Sequence, residues 1–217
     1  MKRILLPVLL LAATTSFAGF ASDRARFGLD FRLGGIAYDT EDWKDSVGGF
    51  GDLGLDLWSA DGAIGLWVGC GFQGSTLKWK DSWGPIDTDI FAIPFGASLM
   101  ARLEFAPGVA IRLEGGWRYV SMDIDDDELD DHYHHGYRRR NSDWDRYHFP
   151  DRYLDIDDTS LAVVSAQLEF NLDPVTLGIG GGYQFDLEKP EVTYDDKPIF
   201  ETDISGAIFF ANLTLLF

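Results

Sequence analysis

The stretch GAIFFANLTLLF (206–217) alternates without interruption. Ala207, Phe209, Ala211, Leu213, Leu215 and Phe217 share one face; Gly206, Asn212 and Thr214 share the other with Ile208, Phe210 and Leu216. Period-two alternation marks a strand with two unlike faces. Here one face is wholly apolar, and the run closes on an aromatic with no polar tail to cover it. Such a strand suits lipid, where every backbone N–H and C=O must be paired, so it implies a closed barrel.

Seven further segments read the same way. They lie at about 25–38, 49–58, 62–78, 88–105, 109–122, 159–172 and 174–187. In the fourth, Phe91, Ile93, Phe95, Ala97, Leu99, Ala101, Leu103 and Phe105 oppose Gly96, Ser98, Arg102 and Glu104. Tight turns fall at Ser59–Gly62, Ala106–Gly108 and Leu172–Pro174, and longer connections at 39–48, 79–87, 123–158 and 188–204. Turns at one end and loops at the other predict an all-β fold: an eight-stranded antiparallel up-and-down transmembrane barrel with both termini at the turn end.

A soluble eight-stranded barrel shares this strand count but turns its apolar face inward. The polar parity here is mostly glycine and isolated charges, a poor water-facing surface. The apolar parity carries aromatics near the strand ends (Phe27, Phe91, Phe105, Trp117, Tyr119, Phe170, Tyr183, Phe185), where interfacial girdles belong. Both features favour the membrane.

The N-terminus reads as an export signal. Lys2 and Arg3 precede an apolar run, Ile4–Ala13, and small residues at Ser16, Ala18, Gly19 and Ala21 offer cleavage sites. The expected organisation is a signal peptide, 1–21, and one barrel domain, 22–217. The formal charge is −18, or −20 once Lys2 and Arg3 are removed, which disfavours nucleic acid as a partner. The single cysteine, Cys70, excludes an internal disulfide.

An eight-stranded barrel is just wide enough to be filled by its own side chains, so inward charges must pair. The expected lumen network is Asp30, Arg32, Asp56, Arg102, Glu104, Arg112, Glu114, Arg118 and Glu169. In the hairpin around Ala106–Gly108, a register setting Glu104 opposite Arg112 and Arg102 opposite Glu114 is expected. A slip of two would place the two arginines face to face, at a cost in stability. The network reads either as a salt-bridged plug or as an ion path, the plug being favoured.

The connection 123–158 holds 13 of the 36 acidic residues, all four histidines and the run Arg138, Arg139, Arg140. His132, His134 and His135 with nearby carboxylates offer divalent-metal donors; a solvated acidic loop is the plainer reading, and no metal or cofactor is expected. Asp123, Asp125 and Asp127 open like a calcium loop, but Glu128 and His134 occupy the glycine and glutamate positions, so that pattern fails. Gly49, Gly51 and Gly54 match a dinucleotide fingerprint by letter, yet no helix follows. No histidine falls in a strand. A catalytic group built on His148, Ser142 and Asp145 would rest on a loop, so no enzyme is expected.

On its strand pattern the mature chain resembles the small eight-stranded outer-membrane proteins, the group of the OmpA transmembrane domain, OmpX and OmpW. The resemblance implies a bacterial outer-membrane location in a Gram-negative cell, contact with lipid and lipopolysaccharide, and a monomer. It also implies that Leu215 and Phe217 belong to the signal read by the barrel-assembly machinery, although Asn212 stands where a glycine is usual. The expected function is structural or surface-interacting, with the loops, chiefly 123–158, meeting a host or surface ligand. The alternative is a narrow OmpW-like channel for small polar or amphipathic solutes.

Overall fold

The structure, a computed structural model, describes residues 26–39, 47–59, 61–81, 84–125, 154–194 and 197–217. Among these residues eleven strands follow in order: β1 Arg26–Tyr38, β2 Val47–Trp58, β3 Ile64–Asp81, β4 Gly84–Ala106, β5 Val109–Asp125, β6 Leu154–Ile156, β7 Thr159–Asn171, β8 Val175–Asp186, β9 Glu191–Tyr194, β10 Lys197–Glu201 and β11 Gly206–Leu216. Eight close a barrel in the order β1-β11-β8-β7-β5-β4-β3-β2, every neighbour antiparallel. The other three form a small sheet, β10-β9-β6, at the loop end.

The closing strand does what its alternation requires. β11 pairs with β1 from Gly28↔Leu216 to Tyr38↔Gly206. Phe217 N–H donates to the Phe27 carbonyl at 2.9 Å, so the seam is bonded to the last residue. Closure leaves no free edge along that seam, the condition lipid imposes.

The polarity is inverted relative to a soluble protein. Leu33 is 67% exposed and Ile179 60%, whereas Asp30 is 0% exposed and Arg112 1%. An apolar exterior this continuous has one suitable solvent, the bilayer. At the turn end Phe27, Phe105 and Phe170 point outward. At the loop end Phe91, Trp117 and Phe185 do so, with Tyr119 and Tyr183 among them. The two tyrosine hydroxyls donate to Asp158 and Asp39, which marks that level as the outer interface.

The turns explain their residues. Gly62 (φ +70°) and Gly108 (φ +74°) hold the left-handed backbone a side chain resists. Ser59 and Ala63 both donate to Asp61 Oδ1, and these bonds hold the Asp61 carboxyl below its ordinary value. One connection differs from expectation. The segment 79–87 is not an open loop: β3 and β4 remain paired to Asp81↔Gly84. Cross-strand bonding such as Thr76 Oγ1 to Asp89 Oδ1, 2.7 Å, carries the ladder outward. The β3–β4 ladder skips from Cys70↔Phe95 to Gln73↔Ala92, where Pro94 has no N–H to give.

Candidate functional site in the barrel lumen

Strand alternation aims Asp30 and Arg32 of β1, Asp52 and Asp56 of β2, Arg102 of β4, Arg112, Glu114 and Arg118 of β5, and Glu169 of β7 into the lumen. Arg32 Nε donates to Asp30 Oδ2 at 2.8 Å and Nη1 to Glu114 Oε1 at 3.0 Å, with Nη2 2.9 Å from Oε2. Arg112 takes the centre. It donates to both Asp56 oxygens at 2.8 and 3.1 Å, with Glu114, Asp30 and Glu169 at 3.4, 3.5 and 3.7 Å. Bidentate guanidinium–carboxylate pairs of this kind are the stronger class of hydrogen bond. Arg118 pairs with Asp52 at 2.8 Å and Arg102 with Glu169 at 2.8 Å.

Neutral groups complete the network. Asn212 Nδ2 and Thr214 Oγ1 each donate to Asp30 Oδ1 at 3.0 Å, and Gln167 Nε2 donates to Glu169 Oε1 at 2.7 Å. Sequence reasoning passed over Asp52, Gln167, Asn212 and Thr214. Each lies on the inward parity of its strand, Gln167 two residues from Glu169 and Asp52 four from Asp56, and that parity was the signal that could have found it.

Two expectations are corrected. Arg102 lies directly opposite Arg112, and Glu104 opposite Ala110. The Pro107–Gly108 turn pairs Ala106 with Val109, and an irregularity between Glu104 and Ala106 sets the shorter register. The like pair persists because neither guanidinium points at the other: Arg102 turns to Glu169 on β7, and Arg112 crosses the lumen to Asp56 on β2. Cross-strand reasoning considers only adjacent strands; a barrel also offers partners across its width. Glu104 is not in the network: it is exposed, and its carboxylate accepts the Gly108 N–H at 3.1 Å.

Aromatic rings pack against the guanidinium groups of this charged floor. Trp67 lies between Arg32 and Arg118, whose guanidinium carbons stand 4.8 and 5.4 Å from its ring centre. Arg112 stands 5.5 Å over Trp58, and Arg32 5.7 Å over Phe210. Above them the lumen is apolar. Ile36, Phe50, Val120, Met122, Val163 and Phe210 join one buried cluster that continues into the small sheet through Ile156 and Val192. The polar lumen expected from sequence therefore fills only the turn-side half. Toward the loop end the inward parity of β1, β2, β5, β7 and β11 becomes apolar, as Ile208 and Phe210 already hinted.

The cap is fastened at the rim. Asp158 accepts the Tyr119 hydroxyl at 2.5 Å and the Met122 N–H at 3.1 Å; the Tyr119 bond foremost holds its carboxyl below the ordinary range. Leu215 and Phe217 lie on the outward face, Phe217 strongly exposed. His132, His134, His135, Arg138, Arg139 and Arg140, the catalytic candidates of the same loop, and the signal segment 1–21 lie outside the described residues.

A closed cylinder with lipid-facing leucines and phenylalanines, aromatic girdles and ion pairs inside is a small eight-stranded outer-membrane β-barrel, and its place is the bacterial outer membrane. The chain is similar in structure to Neisserial surface protein A (TM-score 0.51, 11% identity, covering 89% of this chain and 97% of that one). It is likewise similar to the outer membrane protein OprG of Pseudomonas aeruginosa (TM-score 0.54, 9% identity, covering 89% and 95%). At such identities the likeness is one of fold. No known protein family and no curated protein matches the sequence.

Proposed function

We propose that the protein is a plugged barrel that displays its outer connections at the cell surface, where they contact a surface or host ligand or lipopolysaccharide. It is neither a channel nor an enzyme. The observation that supports this most is the filling of the lumen: an ion-paired floor, aromatic plates and a continuous apolar cluster above them. At the turn-side mouth the space among Arg26, Asp56, Arg102 and Glu169 measures about 20 Å³, room for a water. The chain would reach the membrane by removal of 1–21 and by assembly through Leu215 and Phe217, as a monomer.

Purified protein in planar bilayers is expected to give no steady single-channel conductance. A steady conductance that shifts when Arg112 or Glu114 is neutralised would instead establish the narrow solute channel. An epitope inserted between Asn141 and Ser142 is expected to be detected by antibody on intact cells. Detection only after permeabilisation would reverse the orientation.

A further inference from the structure

The lipid-facing wall is not evenly covered. On the outward parity of β5, Gly115 interrupts the large side chains of Leu113 and Trp117, and a Cβ there would meet nothing within 4 Å. One strand over and two residues toward the turns lies Ala101 of β4, which pairs with Leu113. Leu99, paired with Gly115, stands on one side of this line and Leu113 on the other, 48% and 54% exposed. Ile64, paired with Ala101, closes the foot beside the Ser59–Gly62 turn. These residues bound an open groove of about 330 Å³. That is roughly twice the ~150 Å³ cavity that admits a benzene ring.

The strand registers fix the direction of the groove. Followed once around the wall through Ala101 and Leu113, the row of partners that starts at Ile64 returns to β3 at Gly74. It climbs toward the loop end as it goes. A stagger from 64 to 74 over eight strands tilts each strand about 40° from the barrel axis. The step from Ala101 to Gly115 covers two residues along the strand, ~6.6 Å, and one strand across, ~4.8 Å. It therefore leans from the strand by nearly the same angle in the opposite sense, and the two cancel. The groove runs almost parallel to the barrel axis. Its line continues to Ala162 of β7, between Trp117 and Val164.

Acyl chains in a bilayer lie along that same axis. We propose that the groove is a lipid site: it holds one acyl chain of a phospholipid from the turn-side leaflet while the rest of the annulus exchanges. Between chain and wall there is no hydrophobic drive, because lipid tails are as apolar as leucine, so packing decides. On a convex wall a chain touches protein along one side. In the groove it touches the floor, Ala101 and Gly115, and both leucine flanks, and each added carbon contact contributes dispersion attraction. A second copy of the chain does not suit the space. A stable interface takes about 20–30 residues a side, whereas seven residues line this groove. Its foot at Ile64 lies at the turn end, which sets the leaflet from which the chain enters.

The test is native mass spectrometry of the full chain released from nanodiscs of phosphatidylethanolamine and phosphatidylglycerol, at rising collision energy. One phospholipid is expected to stay on the wild-type barrel after the others are stripped. Gly115→Leu fills the floor and should lose that lipid while keeping the heat-modifiable fold. Gly74→Leu is the control: it adds a side chain on the outward face of β3, where a Cβ also meets nothing within 4 Å, away from the groove. It should keep the lipid. A phosphatidylcholine with a diazirine in mid-chain then locates the site. Its adducts should concentrate at Leu99, Ala101 and Leu113 and fall severalfold in Gly115→Leu. Lipids stripped with none held back, retention in Gly115→Leu, adducts spread evenly over the wall, or a second protein chain as the retained mass would each overturn the proposal. If Gly115→Leu does not assemble, the wild-type retention and adduct map still decide. The inference concerns the wall and stands apart from what the outer connections bind.

Discussion

Replacing Arg112 with methionine is expected to lower the unfolding free energy by about 3–5 kcal/mol, read from urea titration in lipid vesicles. Methionine keeps most of the volume, so the loss reports charge rather than a cavity. Among the described residues Arg112 is the one guanidinium within 4 Å of Asp30, Asp56, Glu114 and Glu169 together. Without it, Asp56 has no ion-pair partner among the described residues, and its side chain is only 1% exposed. The control is Arg102→Met, which removes one pair at the mouth from a side chain 16% exposed and is expected to cost about 1 kcal/mol. Adding Asp56→Asn to Arg112→Met should recover part of the loss, because the stranded charge goes with it. Equal costs at 102 and 112 would contradict a network centred on Arg112.

Gly96→Val is expected to prevent assembly altogether: no heat-modifiable band on gels and no protease-resistant core. Gly96 faces inward on β4, and a Cβ there would lie 2.1 Å from the Trp117 carbonyl oxygen and 2.8 Å from the Arg118 Cα. Both are backbone atoms of β5, so relief requires parting the β4–β5 ladder, and overpacking of this kind has no cheap escape. Gly115 is the matched control. It faces lipid on β5, and a Cβ there meets nothing within 4 Å. Gly115→Leu should change stability by no more than about 0.5 kcal/mol. Tolerance of valine at 96 would mean that the wall packs more loosely than its registers require.

The barrel was legible because lipid enforces strict alternation. Leu99 outward and Met100 inward, Leu213 outward and Asn212 inward, follow from parity alone. The strand count and the three tight turns follow likewise from glycine and proline at 62, 107, 108 and 174. What parity does not carry is distance across the lumen. Arg112 meets Asp56, 56 positions away in sequence, because the barrel's width places them together; no adjacent-strand rule expresses that. The Arg102–Arg112 register escaped for the same reason, since its cost is relieved by Glu169 and Asp56 on other strands. The apolar outer half escaped for a different one. Ile36, Phe50, Val120 and Val163 break alternation where strands leave the membrane and join the core beneath the cap, and a period-two reading treats such residues as noise.

Everything rests on which way the wall faces, and the native Cys70 reports it without any mutation. It is the only cysteine in the chain, on the outward parity of β3, and exposed. A nitroxide attached to Cys70 in reconstituted bilayers should be readily relaxed by dissolved oxygen and shielded from a water-soluble nickel chelate. A label open to nickel, or one immobilised and shielded from both reagents as in a packed interior, would contradict the inverted barrel.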